Sequence, residues 1–178
     1  MSILKNQKNN TYLAISILGK SLNLDVKYRI NSLIEIDREK ENKIVLYLPK
    51  KYKTMENVHI VNMAIEKMYN EIAETEIENI MEKLRVILGF APEDYKLERM
   101  KDSFCKVKNK IIIVNPDIVK YSKKIIETTL LQAFCKTQYR SNSNAYKQAL
   151  ETGIKKYEQF KFDVIKKNKN INNLKKVS

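Results

Sequence analysis

The chain is 178 residues long, 43% hydrophobic and 31% charged, with a net charge of +13, as expected of a globular protein with one sizeable core. No apolar run approaches the roughly 20 residues that cross a bilayer, and the apolar stretch 12–18 ends at Gly19 and Lys20 without a small-residue cleavage pattern, so the expected localisation is cytoplasmic. Two cysteines, Cys105 and Cys135, and one histidine, His59, are too few for a four-ligand Cys/His zinc site, and the isolated Gly19, Gly89 and Gly153 write neither phosphate-binding glycine motif.

The expected fold class is α+β, in a single domain over residues 1–165 followed by a disordered Lys/Asn-rich tail at 166–178. Segments 11–18, 22–29, 32–37 and 43–48 read as strands of an antiparallel β-meander within 11–49, the last two flanking a charged turn. Residues 56–88 read as a long helix, with Val61, Ile65, Met68, Ile72, Ile80, Leu84 and Leu88 at three- and four-residue spacing and Gly89 as its C-terminal cap. A hairpin follows, with strands at 95–101 and 110–114 joined by the charged stretch 106–109. Asn115-Pro116 ends the second strand, and helices are expected at 118–138 and 144–160, so that 95–162 forms one hairpin-and-helix segment.

Charge is unevenly spread. Residues 1–54 carry a net +6, residues 55–94 a net −6 and residues 95–178 a net +13. A basic surface raises the local concentration of phosphate-bearing partners, although only five of the 34 basic residues are Arg, the usual residue for bidentate phosphate and base contacts. Lys96, Arg99, Lys101, Lys106, Lys108 and Lys110 cluster with Tyr95 and Phe104 interleaved. That pattern suits a phosphate track with stacking partners, and equally a solubilising edge strand. On the long helix, Glu71, Glu74 and Glu78 are the candidate surface for a cationic partner; the plainer reading is a solvated acidic face.

Residues 126–136, Ile-Glu-Thr-Thr-Leu-Leu-Gln-Ala-Phe-Cys-Lys, with the ten that follow, carry the most information. Together with the strand 111–115 before them, this stretch resembles the YgjP-like metallopeptidases, zincin-type proteins in which a hairpin ending in Leu-Asn leads to a helix bearing His-Glu-x-x-His. The resemblance spans roughly residues 17–162, through the Leu-Gly-Lys opening at Leu18, the apolar strand ending in Leu48-Pro49, Met68-Tyr69 with Ala73, and the run Leu97-Glu98-Arg99-Met100-Lys101. Phe104-Cys105-Lys106 stands where the family has Trp-Gly-Ser, and Tyr146 stands near the aromatic after the third ligand. The resemblance implies a zincin-like arrangement. It puts the two helix ligands, the general base and the third ligand on Gln132, Lys136, Ala133 and Asn142.

That substitution pattern removes the chemistry. A catalytic zinc takes about three ligands from His, Asp, Glu or Cys; an ammonium at Lys136 repels a dication, and Ala133 offers no carboxylate to take a proton from bound water. The expectation is a pseudo-enzyme with no cofactor, no metal and no catalytic residues. Lys136 is expected either at the solvated end of its helix or in the space of the metal, held by the Gln132 and Asn142 amides. His59 is read as a helix-start residue and Cys135 as packing, while Cys105, beside Lys101, Lys106 and Lys108, is expected to have a lowered pKa if it is reactive.

The function expected is that of a non-catalytic binding protein, a phage or mobile-element inhibitor or adaptor occupying a protein or nucleic-acid-binding surface of a host nucleic-acid machine in the cytoplasm. The partner is then a macromolecule, a protein or nucleoprotein complex, with no membrane. The alternatives are direct nucleic-acid binding through the basic hairpin and tail, and an enzyme with an unrecognised cysteine-based site.

Overall fold

A computed structural model describes residues 13–30, 32–38, 42–53 and 58–174. Its class is α+β, with two small sheets and three α-helices among the described residues. The chain divides into two compact units, the first taking the chain up to Thr75 with Pro116–Ile126, the second Glu76–Asn115 with the chain from Glu127 on.

In the first unit, β1 (Leu13–Ile17) and β2 (Lys20–Arg29) form an antiparallel hairpin. Its turn holds Leu18 and Gly19 at φ 50° and 79°, the pair of positive values that matches the twist of a two-residue hairpin. β4 (Lys43–Pro49) then pairs parallel to β2 and antiparallel to the three-residue β3 (Glu35–Asp37), giving the order β1-β2-β4-β3. The expected meander is therefore wrong in its connection. Ile44, Val45, Leu46 and Leu48 are all buried, an unbroken apolar run that needs cover on both faces and so takes a central place, with a neighbour on each edge. The connection 30–42 is long enough to bring the chain back for a parallel pairing.

α1 (Val58–Leu88) ends as expected, with Gly89 at φ 74° donating its N–H to the Arg85 carbonyl at 3.0 Å; the expected start at 56 lies outside the described residues. In the first unit its Val61, Ala64, Ile65 and Met68 are buried; in the second, Ile77, Ile80, Met81 and Leu84 are. Within the first unit a 3-10 turn, Pro116–Lys120, occupies what was expected to be the first turn of the next helix. The Ser122 carbonyl accepts the first helical bonds, from Ile125 and Ile126, and α2 (Lys123–Gln138) starts there.

The second unit holds a three-stranded sheet of order β5-β7-β6, with β5 (Asp94–Leu97) parallel and β6 (Cys105–Lys108) antiparallel to β7 (Ile111–Val114). The stretch expected to be a charged connection is thus itself mostly strand. Its alternation of Cys105 and Val107, partly buried, with exposed Lys106 and Lys108 is that of a sheet with one solvated face, and Asn109 and Lys110 make the turn at positive φ. The crossover from β5 to β6 is held at the end of β7 by Asn115, whose side-chain N–H donates to the Met100 carbonyl at 2.7 Å and whose backbone N–H donates to Phe104 at 2.9 Å.

α3 runs from Asn144 to Leu174, well beyond the expected end at Phe160. Ser143 caps it, its Oγ accepting from the Tyr146 N–H at 3.0 Å. Residues 166–174 are helical where disorder was expected; after Gly153 no glycine or proline interrupts the helix, although four Asn lie in this stretch. The last four residues of the expected tail, 175–178, lie outside the described residues.

Candidate functional site

On the part of α2 in the second unit, the apolar side is Leu130, Leu131, Ala133, Phe134 and Cys135, all buried. Gln132 and Lys136, four residues apart and so on one side of the helix, are both exposed, while Ala133 faces the core. Asn142 lies in the following turn, exposed and at φ 71°, a left-handed conformation that Asn tolerates. Among the described residues no hydrogen bond joins Lys136 to Gln132 or Asn142. The amine does not sit in a cage of the two amides; its charge acts instead on Cys105.

Cys105 corrects another expectation. Burial pushes its thiol up to about 11, and the nearby Lys136 ammonium only partly offsets this. The lysines that follow it in sequence alternate to the opposite face of β6, so they do not activate it. Cys135 is fully buried, its thiol also raised by burial, and it packs as expected. His59 is exposed in the first turn of α1.

The three-stranded sheet gathers the basic candidates. Residues paired across strands share a face, which places Lys96, Ile113 and Lys106 in one row and Asp94, Ile111 and Lys108 in the next. All three lysines are exposed, whereas the other face carries Ile112 and Val114 at 0% exposure. Ile113 is 5% exposed although it lies in the lysine row; the aliphatic stems of Lys96 and Lys106 are the groups in register to cover it. Phe104 is 38% exposed two residues before Lys106, and Arg99 and Lys101 are exposed on the crossover. Lys96 pairs with Glu98 at 3.2 Å and Lys110 with Glu93 at 3.7 Å. Lys101, Lys106 and Lys108 have no ion-pair partner among the described residues.

The acidic candidates differ in their surroundings. In the first unit Glu71 pairs with Arg38 at 3.5 Å, and Glu74 is exposed. In the second, Glu78 lines a cleft of about 540 Å³ with Glu82, Arg85, Glu93, Asp94 and Tyr95. Glu82, Glu93 and Asp94 were not legible as site residues, because the cleft joins segments distant in sequence. Arg85 binds both Glu82 oxygens, at 2.6 and 2.8 Å, and holds that carboxyl below its usual range. Among the described residues no group of three or more His, Cys, Asp or Glu is placed to hold a metal ion, and no helix is long and apolar enough to cross a membrane. No family model matches the chain, and no curated protein or solved structure matches it.

Proposed function

We propose that this chain is a non-catalytic binding protein on a zincin-like scaffold, a degenerate relative of the YgjP-like metallopeptidases that acts by occupying the surface of a macromolecular partner. The observation that carries this reading is the chemistry of α2. Its exposed i, i+4 pair is Gln132 and Lys136, and the position between them that a general base would hold is a buried alanine. An amide and an ammonium form a polar recognition surface, and an ammonium disfavours a dication beside it. The setting that suits such a chain is a phage or mobile-element inhibitor or adaptor that docks on a host nucleic-acid machine, where a protein or nucleoprotein surface is the partner.

The reading is tested by two measurements on the full chain. Purified protein is titrated with zinc and assayed for peptide hydrolysis with and without chelator. Tagged protein is then used for affinity capture from the native host, with and without nuclease. The expected results are no stoichiometric zinc, no chelator-sensitive hydrolysis, and a macromolecule retained in stoichiometric amount. Hydrolysis lost with the metal and restored by zinc would overturn the reading.

A cysteine-based enzyme is the weaker alternative, since the Cys105 thiol is partly buried and pushed up to about 11, and so holds little thiolate near neutral pH. Direct nucleic-acid binding has an observation of its own, the lysine face of the β5-β7-β6 sheet.

A further inference from the structure

We infer that the lysine face of the β5-β7-β6 sheet binds a single nucleic-acid strand, with Lys96, Lys106 and Lys108 on its phosphates and Phe104 against a base. This rests on the reading of the chain as a binding protein and names what one of its surfaces takes.

The geometry favours this partner in three ways. Residues two apart on a strand are roughly 7 Å apart, of the order of the through-space separation of successive phosphates along one extended nucleic-acid strand, so Lys106 and Lys108 match neighbouring phosphates. Lys96 lies across β7 from Lys106, roughly 10 Å away at two strand spacings, and gives the track width. Phe104 directly precedes β6 and is 38% exposed, so an unpaired base at that end of the strand can meet its π-face.

Charge type decides between partners. Lysine is depleted where proteins meet proteins, whereas it serves as a point charge for phosphates. Lys106 and Lys108 are also the lysines of this face that no carboxylate of the described residues neutralises. The face itself carries lysines and no arginine among its paired strand residues, so the contact reads charge and stacking and not sequence. In a duplex the bases are already stacked, and Phe104 gains nothing there.

The test is fluorescence anisotropy of the full chain with a labelled oligothymidylate long enough to span the face, over a salt series, and with heparin as a polyanion that has no bases. Expected is binding whose logarithm falls with log salt at a slope of about −2, for three phosphates on a single strand. Changing Lys106 and Lys108 together to alanine is expected to lower that slope by about 1.4. Phe104→Ala is expected to weaken oligothymidylate binding about five- to a hundredfold while leaving heparin binding unchanged. No binding, binding that neither variant alters, or equal loss for heparin and oligothymidylate in Phe104→Ala would overturn the inference. Should the oligothymidylate fail while nuclease-resistant capture of a protein partner succeeds, this inference falls and the binding-protein reading stands; chelator-sensitive hydrolysis removes the latter instead.

Discussion

Lys161 of α3 donates to the Glu127 carboxylate of α2 directly beside Tyr157, whose ring its amine also overlies at 4.9 Å. The Tyr157 hydroxyl is buried and makes no hydrogen bond of good geometry among the described residues, yet it lies close enough to Glu127 to feel it. Burial first, and then that carboxylate, raises its pKa. The Glu127 side chain is only 12% exposed, so its charge depends on Lys161 for compensation. Glu127→Ala is expected to lower unfolding free energy by about 1–3 kcal/mol, and Tyr157→Phe to raise it by up to about 1–3 kcal/mol, since no made bond is lost and a buried unpaired hydroxyl is removed. Urea unfolding of both variants checks this; an equal loss in Tyr157→Phe would show that the hydroxyl is bonded after all.

Gly19 and Gly89 share a left-handed backbone, at φ 79° and 74°, and differ in what surrounds them. A Cβ at Gly89 meets nothing within 4 Å, whereas one at Gly19 would stand 2.9 Å from the Ser122 Cα, a backbone atom that cannot swing aside. Gly89→Ala is therefore expected to cost about 1–2 kcal/mol for the backbone conformation alone. Gly19→Ala carries the same cost and an overlap of about 1–3 kcal/mol more. Equal unfolding midpoints for the two variants would mean that the hairpin turn shifts freely away from Ser122.

What could be read from the sequence was what is local. The end of α1 at Gly89 follows from one residue's conformational freedom, and the start of α3 at Asn144 from a serine before it. The parallel β2-β4 pairing was not legible, because which strand lies beside β4 is settled by cover for its apolar run and not by any neighbour in sequence. β6 was hidden by its own lysines: with a solvated face, half its positions look like a loop. For the candidate site, the charges of Lys96, Lys106 and Lys108 were evident, but their common face depends on the register of both strands with β7. Lys101, Lys106 and Lys108 also suggested an activated Cys105, which fails because strand alternation separates Cys105 from Lys106 and Lys108 and burial dominates.

Asn115 is 5% exposed and ties the crossover by its side chain to Met100 and by its backbone to Phe104. Truncating it takes that donor from the Met100 carbonyl at a partly buried site, so Asn115→Ala is expected to cost about 0.5–1.5 kcal/mol. The same change should speed hydrogen exchange at the Glu98 N–H, which donates to the Val114 carbonyl at 3.0 Å beside it. Unaltered exchange at Glu98 would show that the crossover is held by other contacts.

Cys105 makes stability fall on the alkaline side. Its thiol stays protonated to about 11 in the folded chain against an ordinary value of 9.0, so below pH 9 both states hold the proton and the thiol contributes no pH dependence. Above that, the unfolded chain releases the proton first, the folded chain binds more protons, and unfolding becomes easier as pH rises. The loss runs through the window between the two values and approaches about 2–3 kcal/mol. Tyr157, also raised, and Cys135 add in the same direction, so the comparison that isolates Cys105 is wild type against Cys105→Ala. Urea midpoints measured from about pH 8 to about pH 10.5 should fall more steeply in wild type than in the variant. Parallel curves would mean that the Cys105 thiol titrates in the folded chain as it does in the unfolded one, and that water reaches it behind β6.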